Sequence, residues 1–239
     1  MGDGFNSGYR CRMSRTADTS SRTTFVFEEL RSDLLDGRIM PGTRLKLPAL
    51  AERFNLSMTV IREALTRLAE QGLVVVTPKR GFSVMELSVD DLEDLTYVRV
   101  ELETFALRAS IEQGSLEWET QVVGALHALN RTEQLHPDGT FNVEWFGCHR
   151  AFHHALLAGS GSPRLLSLTT TERDRAELYR AWARSLAHDE QRDVRGEHQN
   201  LADLALARDT EGAVKALAEH IRRTTRVLID YAQAESTFR

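Results

Sequence analysis

Four of the eight histidines in this 239-residue chain, His149, His153, His198 and His220, stand at positions suited to metal chemistry. Neutral imidazoles converging from several helices of a bundle make a natural site for a divalent transition metal. His149 and His153 are four residues apart, so on a helix they share a face with Trp145, Phe152 and Leu156. A surface helix has no reason to place two imidazoles on its buried stripe. His198 and His220 fall in two later helical segments, each near inward Leu or Ile positions. The alternative is a set of ordinary core or surface histidines, each tied to a backbone carbonyl. All eight histidines lie within residues 88–239. His127, His154 and His188 read as structural or exposed, and His154 turns about 100° away from His153 on an ideal helix.

The elements that must hold these rings follow from helical periodicity. Asp90–Glu112 begins with acidic residues that suit a helix N-terminus, and its apolar stripe reads as Leu92, Leu95, Val98, Leu102, Phe105 and Ala109. Further helices are predicted over Leu116–Leu135, Phe141–Ala158, Arg164–Ala187, Asp193–Ala207 and Thr210–Ala234, with no convincing strand among them. Residues 136–139 and 159–163 are turns. The expected fold is mainly α, and residues 88–239 form an all-α antiparallel bundle.

A different chemistry lies earlier. Leu50–Leu65 reads as two short helices joined by a tight turn, with Leu50, Ala51 and Phe54 inward on the first and Ile61, Leu65 and Leu68 inward on the second and its continuation. Asn55 stands at the reversal, because Asn tolerates a left-handed backbone. Ser57 suits an N-cap, with first-turn N–H groups left to meet a phosphate. Met58, Thr59, Arg62 and Thr66 remain outward. Gly72–Thr77 and Phe82–Val84 are β-branched or apolar runs around the turn 78–81, a hairpin with the cationic tip Lys79, Arg80 and Gly81. Helix, turn, helix and basic hairpin in this order predict a winged helix-turn-helix over 23–87 that binds double-stranded DNA. Arg44, after the turn at Pro41–Gly42, is placed to reach a backbone phosphate. A first amphipathic helix is predicted over Thr23–Asp36, and residues 1–22 read as a disordered tail.

Composition bounds the class. Hydrophobic residues make up 41% and charged residues 27%, as in a soluble globular protein. No apolar run approaches the ~18 residues of a membrane span, and the start lacks the apolar core of a secretory signal, so a cytoplasmic protein is expected. Cys11 and Cys148 are too few for a disulfide framework. The net charge of −5 divides unevenly: residues 1–87 carry 13 Lys/Arg against 10 Asp/Glu, whereas the remainder carries 17 against 25. The basic surplus lies where phosphates would bind.

Pro41–Leu45, Leu50-Ala51-Glu52, Ser57-x-Thr59-x-x-Arg62-Glu63-Ala64-Leu65, Gly72-Leu73-Val74 and Arg80-Gly81-Phe82, in this order, resemble the GntR superfamily of bacterial transcription regulators. Met58 and Val60 depart from the Arg and Pro usual there. Tyr97-x-Arg99-x-x-x-Glu103, Phe152-His153-x-x-Leu156, Ser160-Gly161-x-x-Arg164-Leu165, Glu197-His198, Asp209, Ala213 and His220 resemble the helical effector domain of the FadR branch, with Ser162 in place of the usual Asn. In its metal-binding members an Asp precedes the first His by four residues, where this chain has His149. The resemblance therefore implies His153, His198 and His220 as ligands, with His149 replacing the carboxylate. An all-nitrogen set favours Zn²⁺ or Ni²⁺ over Mg²⁺ or Ca²⁺. It further implies a homodimeric regulator, most often a repressor, on a palindromic operator, with a small organic acid as effector. Arg99 is the candidate for the effector carboxylate; a salt bridge to Glu103 at i+4 is the competing role.

A metal-dependent hydrolase with an accessory DNA-binding module is the rival reading, since a three-His metal with an open position activates water. Against it, the chain has no His-Glu-x-x-His element and no carboxylate marked as a general base, and four His ligands fill a tetrahedral site. A third reading keeps the regulator but makes the metal structural, or itself the signal.

Overall fold

The computed structural model describes residues 15–136, 142–183 and 192–234. In chain order it contains α1 (Arg15–Leu35), β1 (Arg44–Leu45), α2 (Leu47–Phe54), α3 (Met58–Glu70), β2 (Val74–Thr77), β3 (Gly81–Val84), α4 (Val89–Gln113), α5 (Leu116–Arg131), α6 (Val143–Ala158), α7 (Pro163–Ala183), α8 (Val194–Leu206) and α9 (Thr210–Ala234). None of the helices searched is long and apolar enough to cross a membrane.

The helix-turn-helix forms as its residues require. Asn55 ends α2 in the left-handed region at φ 51°. The Ser57 side chain caps α3 by accepting from the Val60 N–H. α3 buries Val60, Ile61, Ala64, Leu65 and Leu68 against α1 and α2. Beyond it β2 and β3 pair antiparallel, from Val74 opposite Val84 to Thr77 opposite Gly81. Lys79 at φ 63° and Gly81 at φ 86° turn the tip. A third strand, β1, was not expected: Arg44 pairs with Ser83 and Leu45 with Phe82, giving the order β1-β3-β2.

Helix α1 begins earlier than expected, so residues 15–22 are helical rather than part of a tail; residues 1–14 lie outside the described residues. Phe27, Leu30, Leu34 and Leu35 anchor the helix in the core, and adding turns to an anchored helix costs little. The bundle follows the predicted helices closely. α6 is described from Val143, where Asn142 accepts from the Glu144 N–H at 3.0 Å, and Phe141, its expected start, lies outside the described residues. The end predicted for the fourth bundle helix, with His188, lies outside the described residues. His127 and His154 are exposed.

The inward face of α4 corrects the expected stripe. Leu92 and Leu95 are buried, but Val98, Leu102 and Ala109 are only half-buried and Phe105 is 64% exposed. The buried face continues instead through Arg99, Val100, Glu103, Ala106, Leu107, Ser110 and Ile111. A count of apolar residues passes over a face that carries a buried ion pair.

The winged helix and the bundle share one core. Ala176, Leu178 and Tyr179 of α7 and Leu228 of α9 pack with Leu30, Leu68, Leu73 and Leu92. Polar ties reinforce the junction. Arg31 of α1 pairs with Asp174, the Arg175 Nε donates to the Gln71 carbonyl at the end of α3 at 3.1 Å, and the Tyr179 hydroxyl donates to Asp91 at 2.5 Å. Gly72, at φ 72°, lets the Arg175 guanidinium lie where a Cβ would clash.

Candidate metal and effector centre

Helix α6 turns Phe146, His149, Phe152, His153 and Leu156 inward. α8 contributes His198 and α9 contributes His220. The structure brings all four histidines together: each offers one ring nitrogen, and these atoms lie within 4.8 Å of one another. None of the four is more than 6% exposed. Trp145 stacks on the His149 ring at 4.9 Å between centroids, and the Phe152 ring stands edge-on to His198 at 5.3 Å.

Core histidines tied to carbonyls would have their ring nitrogens satisfied. Here His149 Nδ1, His153 Nε2 and His198 Nε2 are buried without a hydrogen-bond partner, a costly arrangement unless something takes those lone pairs. His220 is held from behind, its Nδ1–H donating to the Glu197 carboxylate at 2.8 Å. Burial pushes the pKa values of all four rings down. The cations Arg180 and Arg173 add to this at His149 and His153 respectively. His220 is lowered to about 4, burial outweighing its bond to Glu197. Burial also raises the Glu197 carboxyl, but bonds from His220 and Arg192 outweigh it and hold it at about 2. The site therefore presents neutral imidazoles at neutral pH, a donor set that fits a borderline divalent ion.

Beside the rings lies a charged layer that spacing alone did not reveal. Arg99 is already engaged: its Nε donates to Glu103 at 2.8 Å, the competing role weighed above. Arg173 of α7 donates to the other Glu103 oxygen at 2.8 Å. Burial raises the Glu103 carboxyl, and the two guanidinium groups overcome it and hold the pKa below the ordinary value. Further along α7, Glu177 pairs with Arg180 and lies 3.9 Å from His149 Nδ1. Arg173 Nη2, Arg180 Nε and Glu177 Oε2 are buried without partners. The unpartnered N–H groups of Arg173 and Arg180 remain available to an anion. Arg173, Glu177 and Arg180, spaced i, i+4, i+7, share one face of α7, but that spacing does not say which neighbour the face meets.

In the winged helix, Arg44, Arg62, Lys79, Arg80 and Gly81 line one open groove of about 770 Å³ between the wing and the start of α2, with Arg62 reaching it from α3. Met58, Thr59, Arg62 and Thr66 are exposed on α3 as expected, and Ser57 is exposed at its N-cap. Arg44, expected at a backbone phosphate, also has a partner within the wing. Its guanidinium donates to the Arg80 carbonyl at 3.0 and 3.2 Å, so it braces the wing tip, where a fixed cation is useful but less free to reach out.

Residues 22–84 match the profile of the bacterial regulatory proteins of the gntR family, and residues 94–223 match that of the FCD domain. The chain belongs to the GntR family. This GntR regulator is 35% identical over 218 residues to the HTH-type transcriptional regulator BphR of Paraburkholderia xenovorans (strain LB400), covering 89% of this chain and 87% of that protein. To the HTH-type transcriptional repressor GlaR of Escherichia coli (strain K12) it is 32% identical over 195 residues, 80% and 89% of the two chains. Among solved structures it resembles E. coli McbR/YncC with a TM-score of 0.75 and 26% identity over 87% of this chain and 97% of that one. GntR regulators bind DNA, and the winged helix supplies that function here. The relatives are transcriptional regulators, which speaks against the hydrolase reading.

Proposed function

We propose that this GntR regulator is a homodimeric repressor whose hold on a palindromic operator is released by a small organic acid bound beside a metal. Residues 23–87 are the DNA-binding unit, and residues 88–239 bind effector and dimerise. The single observation behind the sensor reading is the set of three unpartnered, buried imidazole nitrogens next to the unpartnered Arg180 Nε. His149, His153, His198 and His220 would hold the ion, Zn²⁺ or Ni²⁺. Bound there, the ion would supply Lewis acidity towards a carboxylate oxygen taken as a ligand beyond the four rings. Arg180 would pair the acid's anionic charge, in the role first assigned to Arg99. Helix α7 then links the sites, since it carries Arg173, Glu177 and Arg180 towards the rings and Arg175 and Tyr179 towards the winged helix. An acid that draws Arg180 from Glu177 favours a different seat for α7, and release follows if that seat fits DNA poorly.

Two substitutions test the two halves. Arg62→Ala removes an exposed cation from α3 and should weaken operator binding by about 1–3 kcal/mol per half-site, with the melting temperature unchanged. A gel-shift or fluorescence-anisotropy titration at fixed salt reads this, and wild-type affinity would displace α3 from the groove. Glu197→Gln keeps the shape but loses the anionic partner of His220. Metal affinity should fall about 10–100-fold in chelator competition, whereas unchanged affinity would remove His220 from the ligand set.

A further inference from the structure

A second cavity lies where the winged helix meets the bundle. It holds about 190 Å³ and is lined by Arg31 of α1, by Arg150, Ala151 and His154 of α6, and by Thr169 and Arg173 of α7 among others. Three guanidinium groups from three helices face one lining carboxylate, Asp174, which Arg31 already holds through its Nε at 3.1 Å. Glu103 neutralises Arg173 only in part, because it is shared with Arg99. Four arginines thus stand against two carboxylates. Arg173 is 6% exposed, and both its Nη2 and Arg150 Nη1 are buried without a hydrogen-bond partner. Unpaired guanidinium donors out of water are costly, and an oxyanion is the ligand that satisfies them. The hydroxyl of Thr169 is turned back onto the Leu166 carbonyl at 2.9 Å, so the arginines carry the recognition.

We propose that this junction cavity is a separate binding site for a small tetrahedral oxyanion, either phosphate or the phosphoryl group of a compact ester. The surplus of two positive charges matches a dianion, and guanidinium groups from three directions suit tetrahedral oxygens better than one planar carboxylate. A volume of 190 Å³ admits the oxyanion with a short tail. The occupant joins α1 of the winged helix to α6 and α7 of the bundle without touching the four histidines.

The test is isothermal titration of the full-length, chelator-stripped protein at constant ionic strength, first with inorganic phosphate and then with glycerol 3-phosphate. Saturable binding is expected in the wild type. Arg150→Gln should weaken it at least tenfold, and so should Ala151→Glu, which sets a carboxylate in the cavity from an exposed position that folding tolerates. His153→Ala should bind as the wild type does. Tighter binding of the ester identifies a phosphorylated metabolite as the source, and equal or weaker binding identifies free phosphate. No saturable binding, wild-type affinity in Ala151→Glu, or loss of binding in His153→Ala overturns the proposal, the last by moving the anion to the histidine centre.

Discussion

His153→Ala is expected to purify without stoichiometric metal and to lose the stabilisation by Zn²⁺ or Ni²⁺ expected of the wild type. The ring stands amid the other three, with centroids 4.6 Å from His149, 5.2 Å from His198 and 5.1 Å from His220. Removing it takes one donor from the set and leaves a hole at the centre, so the remaining rings have no neighbour to fix their spacing. An ion at a hundred times its Kd stabilises the wild type by about 2.7 kcal/mol, and that increment should vanish in the variant together with the response to carboxylates. Operator binding should survive, since the residues of the winged-helix groove are elsewhere. Metal content by mass spectrometry and melting temperature with and without chelator check the result. Full occupancy in the variant would take His153 out of the ligand set.

The metal-free protein should also be acid-labile. All four rings have folded-state pKa values below the ordinary imidazole value of about 6.5, chiefly through burial. The unfolded chain therefore binds more protons than the folded one in the window between. Stability that is complete above about pH 6.5 is lost as the pH falls towards the folded values, about 4 for His220. Each ring withdraws about 1.4 kcal/mol per pH unit in that window. Against a domain stability of about 5–15 kcal/mol, a loss of this kind at several rings should move the acid transition of the bundle to higher pH. Circular dichroism across a pH series should show this transition in chelator-treated protein, and bound metal should displace it to lower pH. A flat profile from pH 7 to 5 would mean that the rings are hydrated rather than buried and neutral.

Much of this architecture is legible in the sequence because the residues concerned act locally. Asn55 and Ser57 set the turn and cap of the helix-turn-helix by their own backbone and side-chain preferences, and the structure places them so. The four histidines were conspicuous because imidazoles on apolar stripes are out of place. What escaped depends on neighbours distant in the chain. Strand β1 has two residues, too few to alternate, and exists only because Ser83 and Phe82 pair with it. Arg99 and Glu103 occupy the inward face of α4 because Arg173, seventy residues later, closes the ion pair. Phe105 passed for core by composition, yet faces outward for the same reason. The charges of α7 broke any apolar stripe, so that helix gave no sign of which face met the rings and which met the winged helix.

The most direct measurement is thermal denaturation of the chelator-stripped protein with Zn²⁺ or Ni²⁺ added first and small mono-, di- and sugar carboxylates second, paired with operator binding under the same conditions. The account predicts that metal raises the melting temperature, that one acid raises it further only when metal is present, and that the same pair lowers operator affinity. An acid that stabilises and releases DNA equally well without metal would contradict it, and would leave the four histidines with no part in sensing.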